Sequence, residues 1–382
     1  MKACRYLVLA AVLAVFLSVS SLRAEDVIKI GAILSATGPA SPLGEPERNT
    51  VQLLQEQINA KGGVIGKKLE IIVYDDESAV DKAVSAADKL LKKDNVVAVV
   101  GPTTTPNTLA IEGKFDAAAV PLVSCAAGEK IVVPVKKWVF KTPQSDRLAV
   151  ARILSHLKAQ KISKIAIITV SDAFGQGGRE MLKALGPKAG IEIVADEVYS
   201  PKDTDTTAQL TKIKSTDAKA IVTWGTPQTG SATVTKNRVQ LGITIPLYLS
   251  HGVASPKFIE LAGSASDGVF LPAGRLIVAD EVPAKHPQKA LLTKYIKDYE
   301  TKFKSPVSTF GGHAWDAVML VVKAIEMGKS DKPADIRANL EKIKGFVGTA
   351  GVFNFSAEEH NGLDESAFEM VTINKGDWQI VK

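Results

Sequence analysis

The chain has 382 residues, 23 % of them charged and 46 % hydrophobic, with a formal net charge of +6. That length exceeds one ordinary core and suits two domains of roughly 150 residues each. The charge is nearly balanced and no Lys/Arg block is interleaved with aromatic residues, which excludes nucleic acid as the main partner.

The N-terminus reads as an address. Lys2 and Arg5 precede an unbroken apolar run, Leu7–Leu17, and small residues lead to a cleavage point after Ala24. The run is too short to span a membrane and has the layout of a secretory signal peptide, residues 1–24. Leu22 departs from the small-residue preference, and Cys4 lies ahead of the run, where a lipid-modified cysteine would not be. Processing leaves 358 residues, with 44 basic against 41 acidic groups, and a single cysteine, Cys125. A lone thiol forms no internal disulfide, so the fold must be held by its own core.

Beyond the leader, β-branched runs alternate with amphipathic stretches. Val27–Ile33, Leu69–Tyr74 and Val96–Val100 read as buried strands, with helical faces at Val51, Leu54 and Ile58 and at Val80, Val84, Ala87 and Leu91 between them. A short strand, Pro121–Val123, follows. Strand signals return at Lys164–Val170, Ile191–Val198, Ala220–Trp224 and Pro246–Ser250, separated by helices Gly178–Leu185, Thr207–Lys214 and Ser231–Leu241. After Gly274 come three helices, Gln288–Phe303, Thr309–Met327 and Pro333–Ile343, and two closing strands, Phe368–Ile373 and Trp378–Val381. Alternation of this kind predicts an α/β fold with two doubly wound parallel sheets.

Catalytic and metal motifs are scarce. His156, His251, His286, His313 and His360 show no metal-ligand spacing, and neither a nucleophile elbow nor a phosphate-binding loop is present. No cofactor is called for. Asp75, Asp76 and Glu77 lack the spacing of a calcium loop and read as strand-end caps or hinge groups. Gly175, Gly177 and Gly178 approach a dinucleotide fingerprint, but Glu180 at the third glycine position would repel a pyrophosphate. A Cys125–His251 nucleophile and base is the enzymatic alternative to a binding protein.

The informative segment is Gly101–Thr108, with Thr103, Thr104 and Thr105 between glycine and prolines, after a strand and ahead of the helical pattern Leu109–Ala118. Free N–H groups at a helix start, with hydroxyls beside them, make a carboxylate site; a single helix cap would need only one hydroxyl. A second small-residue loop, Ser124–Gly128, lets a ligand approach backbone donors, or is simply a tight turn. Both loops lie at the carboxyl ends of parallel strands, where open α/β sheets bind ligands.

At these residues the sequence resembles the leucine/isoleucine/valine-binding proteins, the type I periplasmic receptors of branched-chain amino acid ABC transporters. The segments IKIGAILSATGP, INAKGGVIGKKLEIIVYDDES, VVGPTTTPNT, WVFKTPQSD, SDAFGQGG, HGVASPKF and TFGGHAWDAV match family landmarks in order from Ile28 to the C-terminus. The resemblance implies two Rossmann-like lobes joined by three crossing segments, residues 25–146 with 275–355 and residues 147–274 with 356–382, closing on a ligand by a hinge. It implies a monomeric periplasmic protein that is no enzyme and hands its ligand to ABC permease subunits; a sensory receptor of the same fold is the alternative. By resemblance, Thr105, beside Thr104, replaces the serine of the family's carboxylate clamp, and Ala126, Ala127 and Gly128 match its backbone-donor loop. Gly128 stands where amino acid receptors usually offer a threonine hydroxyl, Phe174 where they have a tyrosine, and His251 where a glutamate pairs with the ligand's ammonium. Leu43, Trp224, Pro227 and Phe310 fall at wall positions. Loss of glutamate, hydroxyl and phenol together predicts a carboxylate ligand without an α-ammonium, such as an aromatic or branched 2-oxo or hydroxy acid or an aromatic carboxylate, because an unpaired buried charge is costly. A neutral branched-chain or aromatic amino acid, rescued by Asp146 or Asp172, is the alternative.

Overall fold

A computed structural model describes residues 26–381 except Pro227 and Thr229; the leader lies outside the described residues. The first sheet comprises β1 (Val27–Leu34), β2 (Lys68–Asp75), β3 (Ala98–Val100), β4 (Leu122–Ser124) and β5 (Val139–Lys141), all parallel, in the order β2-β1-β3-β4-β5. Its strands are buried nearly without alternation because helices cover both faces. Those helices are α1 (Ser41–Ala60), α2 (Val80–Lys89) and α3 (Thr105–Ala118), to which the chain later adds α9 (Lys289–Phe303), α10 (Thr309–Gly328) and α11 (Pro333–Leu340). A small hairpin, β11 (Phe346–Val347) with β12 (Val352–Phe353), follows α11.

The second sheet carries β6 (Lys164–Val170), β7 (Glu192–Tyr199), β8 (Ala220–Trp224), β9 (Leu247–Leu249) and β10 (Phe270–Ala273). Its order is β7-β6-β8-β9-β10, extended by β13 (Glu369–Asn374), antiparallel to β10, and β14 (Asp377–Ile380). Helices α4 (Asp146–Ala159), α5 (Ala173–Leu185), α6 (Thr207–Lys214), α7 (Ser231–Gln240) and α8 (Pro256–Ala262) flank it. Each sheet thus reverses strand order once, between β1 and β3 and between β6 and β8. An open sheet binds ligands at such a reversal, outside the strands' carboxyl ends. The loops leaving β1 and β3 therefore confront the loops leaving β6 and β8.

The crossings between the sheets are tied to one another. Asn361 Nδ2 donates to Pro143 O at 2.8 Å, Ser145 Oγ to Asn361 Oδ1 at 3.0 Å, and Gln144 Nε2 to Ala350 O at 2.8 Å. Arg275 pairs with Glu369 at 2.5 Å where the chain leaves β10. Helix α10 is buried almost all round and packs on α1, so its inward side chains need no polar face on either side.

Three details differ from the sequence reading. Strands β5 and β10 are not read from the sequence, because Lys141 and Pro272 interrupt their apolar runs. Helices α4 and α8 are further elements that the sequence reading lacks, although Val150, Ile153, Leu154 and Leu157 line up at helical spacing. Helix α3 begins at Thr105, a turn ahead of the apolar pattern from Leu109, because Pro106 is well placed in a first helical turn.

Candidate functional site

The two reversals open onto one cavity of about 210 Å³. From the first lobe it is lined by Leu43 of α1, Thr103, Thr104 and Thr105 after β3, Cys125, Ala126 and Ala127 after β4, and Phe310 and His313 of α10. From the second come Asp172 and Phe174 after β6, Thr226 and Gln228 after β8, and His251 after β9.

Thr104 is the extended residue before α3, and its side chain caps nothing. The first helical N–H groups, those of Thr105 and Asn107, have no carbonyl four residues back. Together with the helix dipole they favour a negative group. Thr105 Oγ1 accepts from Gly128 N at 3.2 Å, which leaves its own proton to donate. A Cβ on Gly128 would lie 2.5 Å from Thr105 Cγ2. The threonine methyl thus fills the space of a side chain at 128, so the hydroxyl missing there is a steric consequence of threonine rather than serine at 105.

The loop is held from behind by a buried polar chain. Thr103 Oγ1 donates to Glu47 Oε2 at 2.5 Å and accepts from Ser35 N at 2.9 Å. Ser35 Oγ and Asn107 Nδ2 donate to the two oxygens of Asp76 at 2.6 and 2.8 Å. Burial pushes the Glu47 carboxyl well above its ordinary pKa, opposed by the Thr103 hydrogen bond. Asp75 binds the Thr37 and Glu77 amides, so the acidic triplet ties loops together. The near-fingerprint glycines also serve packing: a Cβ on Gly178 would lie 2.2 Å from Trp224 Cγ.

Of the sequence-derived positions, Leu43, Thr104, Thr105, Ala126, Ala127, Phe174, His251 and Phe310 line the cavity. Gly128 sits behind Thr105. Trp224 is fully buried one layer back, its Nε1 donating to Asp146 Oδ1 at 3.2 Å, and it supports Phe174 and His251 at ring separations of 6.1 and 5.7 Å. Pro227 lies outside the described residues. The Ala126 N–H donates to Ser124 Oγ at 3.0 Å, so a ligand would share that donor rather than find it free. Asp146 is committed to Trp224 and the Glu129 amide and does not line the cavity.

Two groups were missed by sequence reasoning. Lys141 is fully buried, and its ammonium donates at 2.9 Å to the carbonyls of Ala127 and Pro143, both cavity residues. Burial lowers its pKa, while Glu129 and Asp146 oppose the shift. His313 is buried in the wall with an unpartnered Nδ1. Both lie in segments that match family landmarks, WVFKTPQSD and TFGGHAWDAV, but only the folding together of β5 and α10 brings them to the cavity. Neither ring nitrogen of His251 makes a hydrogen bond of good geometry, and the one group that acts on it as a partner is the Gln144 backbone, so Cys125 and His251 are not a hydrogen-bonded pair. Burial, the Lys141 charge and His313 push His251 down to about 3; burial and Lys141 do the same to His313. Both imidazoles are therefore neutral near pH 7.

Two doubly wound lobes with a shared cleft, a helix start on one wall and aromatic residues on the other, define a receptor that closes on a small molecule. The chain belongs to the periplasmic binding protein family, whose model matches residues 27–377. It is 27 % identical over 317 residues to the leucine-, isoleucine-, valine-, threonine- and alanine-binding protein of Pseudomonas aeruginosa, covering 82 % of each chain. Among solved structures, an extracellular ligand-binding receptor from Rhodopseudomonas palustris HaA2 superposes with a TM-score of 0.87 at 30 % identity, over 93 % of this chain and 99 % of the other. The branched-chain amino acid transporter substrate binding protein LivJ from Streptococcus pneumoniae, solved with isoleucine, gives 0.82 at 27 % identity, over 93 % and 99 %. The protein is thus a substrate-binding protein of the branched-chain amino acid transporter type.

Proposed function

We propose that this receptor captures a small carboxylic acid with an apolar body and no α-ammonium, and delivers it as an exported monomer to ABC permease subunits without chemical turnover. One observation carries the reading: the cavity is lined by two neutral imidazoles, with a buried ammonium behind the wall. A ligand ammonium beside them would meet uncharged rings, each with one acceptor nitrogen, and a like charge behind them rather than an anion. Thr105 and the start of α3 suit an acid head, while Phe174, Phe310 and Leu43 suit an aromatic or branched body. The cavity is small beside the roughly 300–1,000 Å³ of drug-sized sites, which favours a molecule of benzoate or amino acid size. Absence of turnover is supported by Cys125, a buried thiol pushed well above its ordinary pKa by burial and without a paired base.

A second reading rests on Asp172 and Gln228 Oε1. Asp172 lines the cavity, and Gln228 Oε1 is a buried acceptor without a partner. Together they would receive the ammonium of a neutral amino acid. Isothermal titration separates the two readings. Phenylpyruvate, 4-methyl-2-oxopentanoate or 4-hydroxybenzoate should bind at least tenfold more tightly than phenylalanine or leucine. Tight leucine binding with no response to the acids would overturn the proposal and move recognition to Asp172 and Gln228.

A further inference from the structure

His313 has no role assigned from the sequence, yet it lies in the cavity wall with His251. Helix α10 brings it from the first lobe, anchored where Thr142 Oγ1 donates to the His313 carbonyl at 2.9 Å. His251 arrives on the turn after β9, in the second lobe. Both rings are more than nine-tenths buried and both line the cavity; three of their four nitrogens make no hydrogen bond of good geometry, and only the Gln144 backbone approaches the His251 ring as a partner.

Burial alone does not strip a histidine of partners here. His360 is more deeply buried still, and it binds Val139 O at 2.9 Å through Nδ1 and Glu341 at 3.3 Å through Nε2. An unmet buried N–H costs about 1–3 kcal/mol, and native interiors rarely tolerate one. Two such rings at one cavity, each with one N–H and one lone pair, leave polar atoms for a ligand to pair. Aromatic packing explains where His251 stands, edge-on to Phe174 and Phe368 at 5.6 Å each, and the Gln144 backbone beside the ring makes no hydrogen bond of good geometry with it. Each neutral imidazole carries one N–H to donate. Lys141 behind the wall keeps a positive potential on the same side, so the complementary group is an oxygen with lone pairs.

We infer that His313 and His251 form a specificity-determining pair, one imidazole from each lobe, that together hold a second acceptor oxygen of the ligand: a carbonyl, hydroxyl or further carboxylate oxygen besides those of the acid head. This rests on the carboxylate reading above and narrows it. An oxygen held from both sides links the lobes directly, so ligands bearing it stabilise the closed cleft more than analogues that lack it.

The test uses matched acids with and without that oxygen: 4-methyl-2-oxopentanoate against 4-methylpentanoate, and phenylpyruvate against 3-phenylpropionate. The readout is the ratio of the two dissociation constants within each pair. The wild-type protein should prefer the oxygen-bearing acid by at least about tenfold, the equivalent of about 1.4 kcal/mol. His313→Phe and His251→Phe should each bring that ratio close to one, whatever the absolute affinities become. His313→Gln keeps a donor in place and should hold an intermediate ratio; it also serves if the phenylalanine variant fails to fold. Equal binding of paired acids by the wild type, or a preference that survives unchanged in the His313 variants, overturns the inference and leaves the carboxylate reading standing. Failure of all four acids to bind, with tight binding of leucine, overturns the reading beneath it instead.

Discussion

Replacing His313 by glutamine should make the protein less sensitive to acid, and the size of the effect follows from burial. The folded imidazole titrates at about 3 against an ordinary 6.5, chiefly because burial disfavours its charged form. The folded value lies below the unfolded one, so the unfolded chain binds more protons between the two. Stability is therefore complete above about pH 6.5 and falls as the pH drops through that window. At about pH 5 the wild-type protein should have lost about 2 kcal/mol through this residue, from a unit and a half of titration at 1.36 kcal/mol per unit. Asp316, pushed up to about 7 by burial, slopes the opposite way, since its folded form keeps a proton that the unfolded chain releases. That contribution is common to both proteins and cancels in the comparison. Urea unfolding followed by circular dichroism at about pH 7.5 and about pH 5 gives the stability difference at each. His313→Gln should gain on the wild type by about 2 kcal/mol between the two conditions. A difference that does not change with pH would refute the assignment of His313 as a buried neutral base.

Other expectations follow from contacts already described. Gly128→Thr should cost about 1–3 kcal/mol by thermal melting, because its Cβ would meet the Thr105 methyl at 2.5 Å, and adding Thr105→Ser should restore most of the loss. Lys141→Met should destabilise by about 3–5 kcal/mol by leaving Asp146 buried without its cation, and Asp146→Asn in the same chain should recover part of that. Gly178→Ala drives a methyl into Trp224 and should shift its indole emission to the red while lowering the melting temperature. In the folded protein Cys125 should resist thiol reagents near neutral pH, and rapid labelling would contradict its burial.

Much of the fold was legible because its signals are local. Continuous apolar strands such as Val27–Leu34 and Lys164–Val170, divided by amphipathic helices, require sheets covered on both faces. Thr105 could be singled out because three threonines beside a helix start exceed the needs of a cap. What the chain did not reveal depends on distant pairing. Gly128 reads as the loss of a hydroxyl until the Thr105 methyl is seen in its place. Trp224 reads as a wall because its hydrogen bond to Asp146, 78 positions away, leaves no trace in either segment. Lys141 looks like a surface lysine at a strand end, yet carbonyls from two loops enclose its ammonium.

The buried chain linking Glu47, Thr103, Ser35, Asp76 and Asn107 fixes α1, the ends of β1 and β2, and the start of α3 as one block. None of those five side chains belongs to the second lobe. On the proposed carboxylate reading, the surface that meets an acid head is thus fixed in advance by groups that need not change when the rest of the ligand does. Residues 174, 251, 310 and 313 stand outside that block, so on that reading substitutions among them would exchange one ligand body for another while the grip on the head group persists. Such a division would let a receptor drift between nutrients without losing its hold on the common head group at any step along the way.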